Sequence, residues 1–520
     1  MHVTLVAGLV GALLNLLWRR VPALALRCPA QRVAVLAGVV TAVAYALLAG
    51  FGVPAQRTLY MLAVAAAAML SGRVLAPSRV LALALLLVLL IDPWSVLAAG
   101  FWLSFGAVAA LFLVGSALVG SALVGGDSGW RQRLLGWGLV QWAATLASLP
   151  ALMLVFQQFP LISPLANAVA VPVISFVVTP LALLAAVLPW TPLLQLAHAI
   201  VGGLMDFLFW CAAWPVWQAP APPAWVVFVA AVGVALCLLP RGVPGKWLGL
   251  ALLLPALYWP ARLPPAGSAW IDVLDVGQGQ AVLIRTHGHA MIYDPGPRYS
   301  ADADAGQRVL VPYLRWLGVG RLDRVMVTHG DTDHAGGLAS LRAAVPVVSL
   351  SSSVAGIGGE LCFAGQHWQW DGVDFSVLHP PAEAYGTGGQ GNSLSCVLSV
   401  QAQGQRMLLT ADIEAAEEGA LIARNGAALP ASILLVPHHG ARRSSTAEFV
   451  QAVGAREVIY SVGYRNRFGH PRPEVEARYA SSGARQWRTD RDGAIHVALA
   501  PTGIAVSAER AQKARYWHGR

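Results

Sequence analysis

The stretch VTHGDTDHAGG, residues 327–337, places His329, Asp331, Asp333 and His334 within six positions, and Gly336-Gly337 then frees the backbone for a tight turn. Imidazoles and carboxylates at such intervals suit a divalent metal. The choice lies among zinc, manganese and iron, and the carboxylate share leans toward the harder ions. An ordinary polar loop is the alternative, and four ligand-type residues this close together argue against it. Similar residues close other apolar runs: Asp412 in RMLLTAD, His438 and His439 in ILLVPHHGA, Asp294 in AMIYDPG and, more weakly, His470 in NRFGHPRP. Singly, each has a plain structural reading, such as a helix N-cap for Asp412 or a turn former for Asp294. The argument for one site is that the same arrangement recurs. A strand-end loop can aim alternate side chains at one point while the adjacent Asp333-His334 pair serves a second, so two metal positions fit. The five cysteines add nothing to this: Cys362 and Cys396 are the only pair in the second half, and their spacing matches neither a zinc clip nor a disulfide framework.

Short strands must carry these residues. Trp270–Leu274, Ala281–Thr286, Ala290–Tyr293, Arg324–Thr328, Ser395–Val400, Arg406–Leu409, Ile433–Val436 and Glu457–Ser461 read as strands. Gln307–Leu317, Leu338–Ala344, Ala415–Asn425 and Thr446–Val453 read as helices. The alternation predicts sheets covered by helices over residues 270–505. A Pro-rich linker, residues 260–269, precedes them and a basic, solvated tail, residues 506–520, follows.

The first half is of another kind. The chain has 520 residues, 57% of them hydrophobic and 12% charged. Up to Arg262 there are only three acidic residues, Asp92, Asp127 and Asp206, against twelve Lys or Arg; the remainder holds 23 of each sign, so the whole formal +9 lies in the apolar half. Such a charge would orient membrane segments more readily than it would bind nucleic acid. Ten apolar runs fill residues 1–259: Val3–Trp18, Val33–Phe51, Thr58–Leu70, Val80–Ile91, Val96–Val119, Leu134–Phe156, Leu161–Leu188, Leu193–Trp214, Ala224–Leu239 and Trp247–Trp259. Some are short of the roughly 20 residues a span needs. With the N-terminus outside, the inner loops hold Arg19, Arg20, Arg27, Arg32, Arg73, Arg79, Arg131, Arg133, Arg241 and Lys246, and the outer side holds Arg57 and Arg262. This bias predicts that the polar half lies outside the cytoplasm.

Pro160, Pro164, Pro172 and Pro180 run through one apolar segment together with Asn167. Prolines at this density predict a broken helix, which lipid tolerates only where protein or a water-filled cavity covers it. Pro164, Asn167, Pro172 and Pro180 are therefore candidates for lining a path, with His198 and Asp206 as further polar groups at membrane depth. For Asn167 the competing reading is a hydrogen bond to a neighbouring helix; for His198 and Asp206 it is a place near the membrane boundary, which is favoured over a pore role.

THGDTDHAGG, LLTAD and LLVPHHG resemble the metal motifs of the metallo-β-lactamase fold, and their order resembles the ComEC family of competence membrane proteins. IDVLDVGQGQAVLIRT, GNSLSCVLSV and HPRPEVEARYASSGARQWRTDRDGAIHV are similar to further segments of that family, as are GFWLSFGAVAALFL and SPLANAVAVPVISFVVTPLALLA in the first half. The resemblance implies a multi-pass α-helical membrane domain, residues 1–259, followed by an αββα metallo-β-lactamase-like domain. It implies DNA uptake across the inner membrane during transformation. One strand would pass inward, and a metal-dependent phosphodiesterase outside would remove the other. Two divalent ions, zinc or manganese, are implied: His329 and Asp331 on one, Asp333 and His334 on the other, Asp412 bridging, and His438 or His439 completing a shell. Asp333 and Asp294 are the catalytic candidates, Asp294 more as an orienter of a ligand. Expected partners are single-stranded and duplex DNA, membrane lipids, a DNA receptor and a cytoplasmic motor. Two departures stand out. The general motif has His where Asp331 stands, and the His it carries before Asp412 is missing; the doubled His438-His439 could supply that nitrogen. MHVTLVAGLV resembles the middle of a family segment, so the chain is expected to lack the family's leading helices and outer nucleic-acid-binding-type domain. A membrane-anchored hydrolase of another phosphoester, or a channel with a structural hydrolase domain, are the competing functions.

Overall fold

In the computed structural model, residues 2–72, 76–122, 130–188, 190–239, 243–386, 389 and 391–515 are described. They form two compact units, Met1–Trp259 and Pro260–Arg520.

The first unit is helical. Ala30–Leu48, Ser163–Ala186 and Thr191–Ala212 are, among the described residues, the helices long and apolar enough to cross a bilayer by length and composition; other apolar helices, such as Pro77–Ile91 and Ala224–Leu238, are shorter. Leucines, tryptophans and phenylalanines stand exposed along them, including Leu48, Phe176, Phe209 and Trp225. That is the surface expected where lipid replaces water. Small residues set the close helix contacts: a Cβ on Gly233 would meet the Gly249 carbonyl oxygen at 2.6 Å, and one on Gly249 the Gly233 oxygen at 2.4 Å.

Two expectations change here. The proline-rich segment is not broken. Its helix runs Ser163–Pro172, makes a π turn over Val173–Val178 and resumes as Thr179–Val187. The wider turn absorbs the missing proline N–H groups, and the Thr179 hydroxyl donates to the Ile174 carbonyl at 2.8 Å. Arg57 is not in an outer loop either. It lies inside helix Val53–Leu70, 7% exposed, with Nε and Nη1 unpaired among the described residues. Of the other expected loop charges, Arg73 and Arg241 lie outside the described residues, as do the acidic Asp127 and the side chains of Arg131 and Arg133.

The second unit has four layers. One sheet orders its eight strands Glu360–Leu361, Val347–Ser352, Leu322–Val327, Ala290–Pro295, Ala281–Arg285, Ala269–Val273, Ile495–Ala500 and Gly503–Ala508. The other orders seven: His367–Trp370, Val373–His379, Val397–Ala402, Gln405–Leu409, Ile433–Leu435, Glu457–Tyr460 and Arg485–Arg488. Side chains alternate across each strand. Val282, Ile284, Met291 and Tyr293 therefore face Phe375, Leu398, Val400 and Leu409 in a core between the sheets. Leu283, Ile292 and Val325 pack outward with Leu314 and Leu341 of the helices Val311–Leu317 and Leu338–Ala344. Leu408 and Leu434 do the same with Leu421, Phe449 and Tyr479 of Ala415–Asn425, Ala447–Val453 and Pro473–Ser481. The Tyr293 hydroxyl, fully buried, donates to the carbonyls of Cys396 and Leu409 and ties one sheet to the other.

Three further expectations are corrected. The Pro-rich linker is docked: Arg285 and His287 bond the carbonyls of Arg262 and Pro264, and the Gly267 N–H donates to the Asp371 carbonyl. The basic tail begins as a sheet strand and the short helix Glu509–Gln512, with Arg510 paired to Asp275 at 2.8 Å; residues 516–520 lie outside the described residues. Cys362 and Cys396 form a disulfide. Their 34-residue separation carries no pairing signal. Backbone bonds from Cys362 to Ser352 and from Cys396 to Thr328 bring them together at the end of the first sheet.

Candidate metal centre

The strands that end at the site run parallel to their neighbours: Ala290–Pro295 beside Leu322–Val327, and Gln405–Leu409, Ile433–Leu435 and Glu457–Tyr460 in succession. Their carboxyl ends share one rim, where loops of both sheets meet. Thr328-His329 leaves Leu322–Val327, and the one-turn helix Thr332–Ala335 presents Asp333 and His334. Gly336 and Gly337 are required by space: Cβ atoms there would lie 2.3 Å from the Arg298 nitrogen and 2.2 Å from the Pro295 oxygen. His438 and His439 both take left-handed backbone, φ 49° and 55°. Each such non-glycine residue costs on the order of 1–3 kcal/mol, strain that tends to collect at functional sites.

Asp412 stands at the centre, fully hemmed in. Its Oδ1 is 3.2 Å from His334 Nε2 and 3.6 Å from His439 Nε2. Its Oδ2 is 3.6 Å from His438 Nε2 and 3.9 Å from His329 Nε2. Asp333 Oδ2 approaches His439 at 3.5 Å, and Asp331 Oδ2 approaches His329 at 3.6 Å. The residues thus fall into two lobes sharing Asp412: Asp333, His334 and His439 on one side, His329, Asp331 and His438 on the other. In the first lobe one donor atom from each of Asp333, His334, Asp412 and His439 lies within 4.8 Å of the others. Asp331 is 61% exposed and His334 fully buried, so the cluster opens to solvent on the Asp331 side.

The outer partners fix which nitrogens face inward. His334 Nδ1 donates to Asp294 Oδ2 at 2.8 Å, and His439 Nδ1 donates to the Ser461 carbonyl at 2.7 Å. Their Nε2 atoms then carry lone pairs and stand 3.2 Å apart. Two facing lone pairs repel unless a cation or a proton lies between them. Among the described residues, His329 Nε2 and Asp412 Oδ1 are buried with no hydrogen-bond partner. The donor set therefore fits divalent metal, and an ion would take the place of the protons the site otherwise attracts. Burial disfavours charge on His334, but the Asp412 and Asp294 carboxylates outweigh it and hold the imidazole well above its usual range. Burial likewise opposes charge on Asp412, and His334 and His439 hold it well below. Asp333 falls to about 2 against a smaller burial penalty, chiefly through its bond to His439.

Asp294, at φ 59°, does not reach either lobe. Its carboxylate accepts from the Thr328 N–H and hydroxyl, Gln280 and His334. It thus stands behind His334, on the ring nitrogen that faces away from Asp412, where an orienting carboxylate would stand. His470 stands beside His438, ring centroids 6.0 Å apart, outside both lobes; burial and then the neighbouring His439 and His438 lower it to about 4. Sequence reasoning missed Thr328, Gln280, Ser461 and Glu418. Glu418 is fully buried and accepts from the Ser445 and Thr446 N–H groups, pinning the loop after His438-His439. Only Glu418 carried a sequence signal, as a charge on the apolar side of an amphipathic helix.

In the helical unit, Pro164, Asn167, Pro172 and Pro180 share the one π-interrupted helix, and Asn167 stands exposed on it. His198 and Asp206 are exposed on Thr191–Ala212.

Residues 1–244 match the family model described as competence protein, and residues 274–464 that of the metallo-beta-lactamase superfamily. The chain is 37% identical to "Competence protein ComA" of Neisseria gonorrhoeae over 99% of its own length and 72% of the relative's. It is 30% identical to "Uncharacterized protein YcaI" of Escherichia coli (strain K12), over 94% of its own length and 64% of the relative's. Among solved structures, the metallo-beta-lactamase fold protein YhfI of Bacillus subtilis aligns with 42% of this chain and 95% of its own, at 12% identity and a TM-score of 0.29.

Proposed function

Because this chain belongs to the competence protein family and carries a metallo-β-lactamase-superfamily domain, we propose that it takes up DNA across the inner membrane and that its second unit hydrolyses phosphodiesters of the strand left outside. The observation that carries the hydrolytic part is the two-lobed cluster around Asp412, with its facing imidazole nitrogens. His334, His439 and Asp333 would hold one divalent ion, His329, Asp331 and His438 the other, and Asp412 both. Bound there, two such ions activate water and steady the charge that develops on a phosphodiester. The chain's own residues set the stage. Asp294 and the Ser461 carbonyl keep His334 and His439 in the tautomer that points Nε2 inward. The exposed Asp331 side would admit substrate, and Asp333, 31% exposed, would orient the attacking water as a hydrogen-bond acceptor.

Full-length protein in detergent should cleave labelled DNA with manganese or zinc and stop with chelator. Loss of the gene should abolish transformation. Chelator-insensitive cleavage, or cleavage of a small phosphodiester with DNA left intact, would overturn the DNA-hydrolysis reading.

Although the helix is continuous, its π turn over Val173–Val178, a form frequent at functional sites, and the exposed Asn167 support a membrane path by Pro164, Asn167, Pro172 and Pro180. Two observations support an extracytoplasmic second unit: the basic residues of the expected inner loops, and the Cys362–Cys396 disulfide, a bond that persists in oxidising compartments. A reporter active only in the cytoplasm, fused after Arg520, should stay silent. Strong reporter activity would refute that orientation.

A further inference from the structure

We propose that the loop Tyr464-Arg465-Asn466-Arg467-Phe468 is a base-stacking platform that holds an unpaired nucleic-acid strand beside the metal centre. The proposal rests on the phosphodiester reading above and deepens it, because it selects single strands and frayed ends over blunt duplex.

Among the described large apolar and aromatic side chains of the second unit, none is more exposed than Tyr464, at 71%; Phe468 is 44% exposed. Aromatic rings at a loop tip bury little and stabilise little, so packing does not account for them. Each ring carries an arginine: the Arg465 guanidinium lies over Tyr464 at 5.2 Å and that of Arg467 over Phe468 at 4.8 Å. Among the described residues neither arginine has a carboxylate within ion-pair distance. Alternating flat rings and unpaired guanidinium groups is what a strand of bases and phosphates fits: every base has a π face and every linkage a negative charge.

The platform is continuous with the site. Phe468 stacks on His470 with centroids 5.7 Å apart and 25° between planes. His470 lies edge-on to His438 at 6.0 Å, and His438 Nε2 is 3.6 Å from Asp412. The aromatic ladder thus steps outward from the shared carboxylate. The loop is held in place. The Asn466 side chain donates to the Gly463 and His470 carbonyls and accepts the His470 N–H. The Gly463 N–H donates to Gln278, and the Arg472 N–H donates to the Gly440 carbonyl just past His438-His439. A strand laid on a pre-formed platform avoids the ordering cost of a mobile loop.

The test is a pair of substrates on the full-length protein in detergent: a single-stranded oligonucleotide, and bis(p-nitrophenyl) phosphate, too small to span the loop. Tyr464→Ala and Phe468→Ala should each raise KM for the oligonucleotide by about 10-fold or more, with the rate on the small diester unchanged. Trp at either position should restore the oligonucleotide KM. An unchanged KM, or an equal loss on both substrates, would overturn the proposal. If the parent cleaves neither substrate, the catalytic reading has failed and the platform is still tested: fluorescence anisotropy of a labelled oligonucleotide in chelator should show weaker binding by both variants. Equal binding by parent and variants would overturn it, and equal binding with reduced retention on anionic phospholipid vesicles would assign the loop to a membrane surface instead.

Discussion

Asp412→Ala is expected to cost at least about 100-fold in both metal retention and hydrolysis, more than any other single ligand substitution at the centre. Loss of one supporting group typically costs 10–100-fold, and Asp412 serves both lobes, with one oxygen toward His334 and His439 and the other toward His329 and His438. Its removal also leaves four imidazoles facing one another with only the peripheral carboxylates Asp331 and Asp333 between them. Metal content of the purified variant, measured by mass spectrometry, should fall below that of Asp331→Ala, since Asp331 touches one lobe and is 61% exposed. Retention of two ions per chain in Asp412→Ala would show that the lobes do not share it.

Glu418→Ala should lower the thermal midpoint of the second unit and slow hydrolysis without touching a ligand. The carboxylate is fully buried and accepts the Ser445 N–H at 2.5 Å and the Thr446 N–H at 2.8 Å. Alanine leaves both donors without a partner and a cavity beneath the loop. At about 1–3 kcal/mol for the buried Ser445 N–H and less for the part-buried Thr446 N–H, the loss is roughly 2–4 kcal/mol, in the upper range for a point change. Arg478, which donates to the Ser444 and Ser445 carbonyls, holds the other side of the same loop. The loop follows His438 and His439 directly, so its slackening should spread into both lobes. Fluorescence-monitored melting of the detergent-solubilised protein reads the effect. An unchanged midpoint would mean that water replaces the carboxylate.

What the sequence disclosed follows from how local each signal is. Ligand residues at the ends of apolar strands stand out because the strand run and the ligand are neighbours in the chain, as in RMLLTAD and ILLVPHHGA. The strands Ala281–Arg285 and Ile433–Leu435 were legible for the same reason, being buried on both faces and, up to the terminal Arg285 of the first, apolar. Val373–His379 was overlooked although Val373, Asp374, Phe375, Ser376 and Val377 alternate as a half-buried strand does. The Cys362–Cys396 pair and the Gln280–Asp294 bond depend on which strands lie side by side, which no spacing records. Arg57 misled for a different reason. A charge at the edge of an apolar run reads as a loop residue, whereas its helix begins four residues earlier, at Val53, and Gly100 leaves space for its guanidinium.

On the proposed DNA-cutting reading, the disulfide has a bearing on when the protein would become dangerous to its own cell. It closes a loop whose two ends border the strands carrying His329 and Asp412, and the Cys396 N–H rests on the Thr328 carbonyl. Closing a loop of this length restrains the unfolded chain by about 3–4 kcal/mol, a substantial part of the 5–15 kcal/mol margin of a typical domain. On the proposed extracytoplasmic orientation of the second unit, that restraint would arrive only after export. A nascent chain still facing the chromosome would carry the two thiols reduced and its cutting centre on a less stable scaffold. Maturation by thiol oxidation would then act as a safety catch, keeping the centre incomplete until the genome lies on the other side of the membrane.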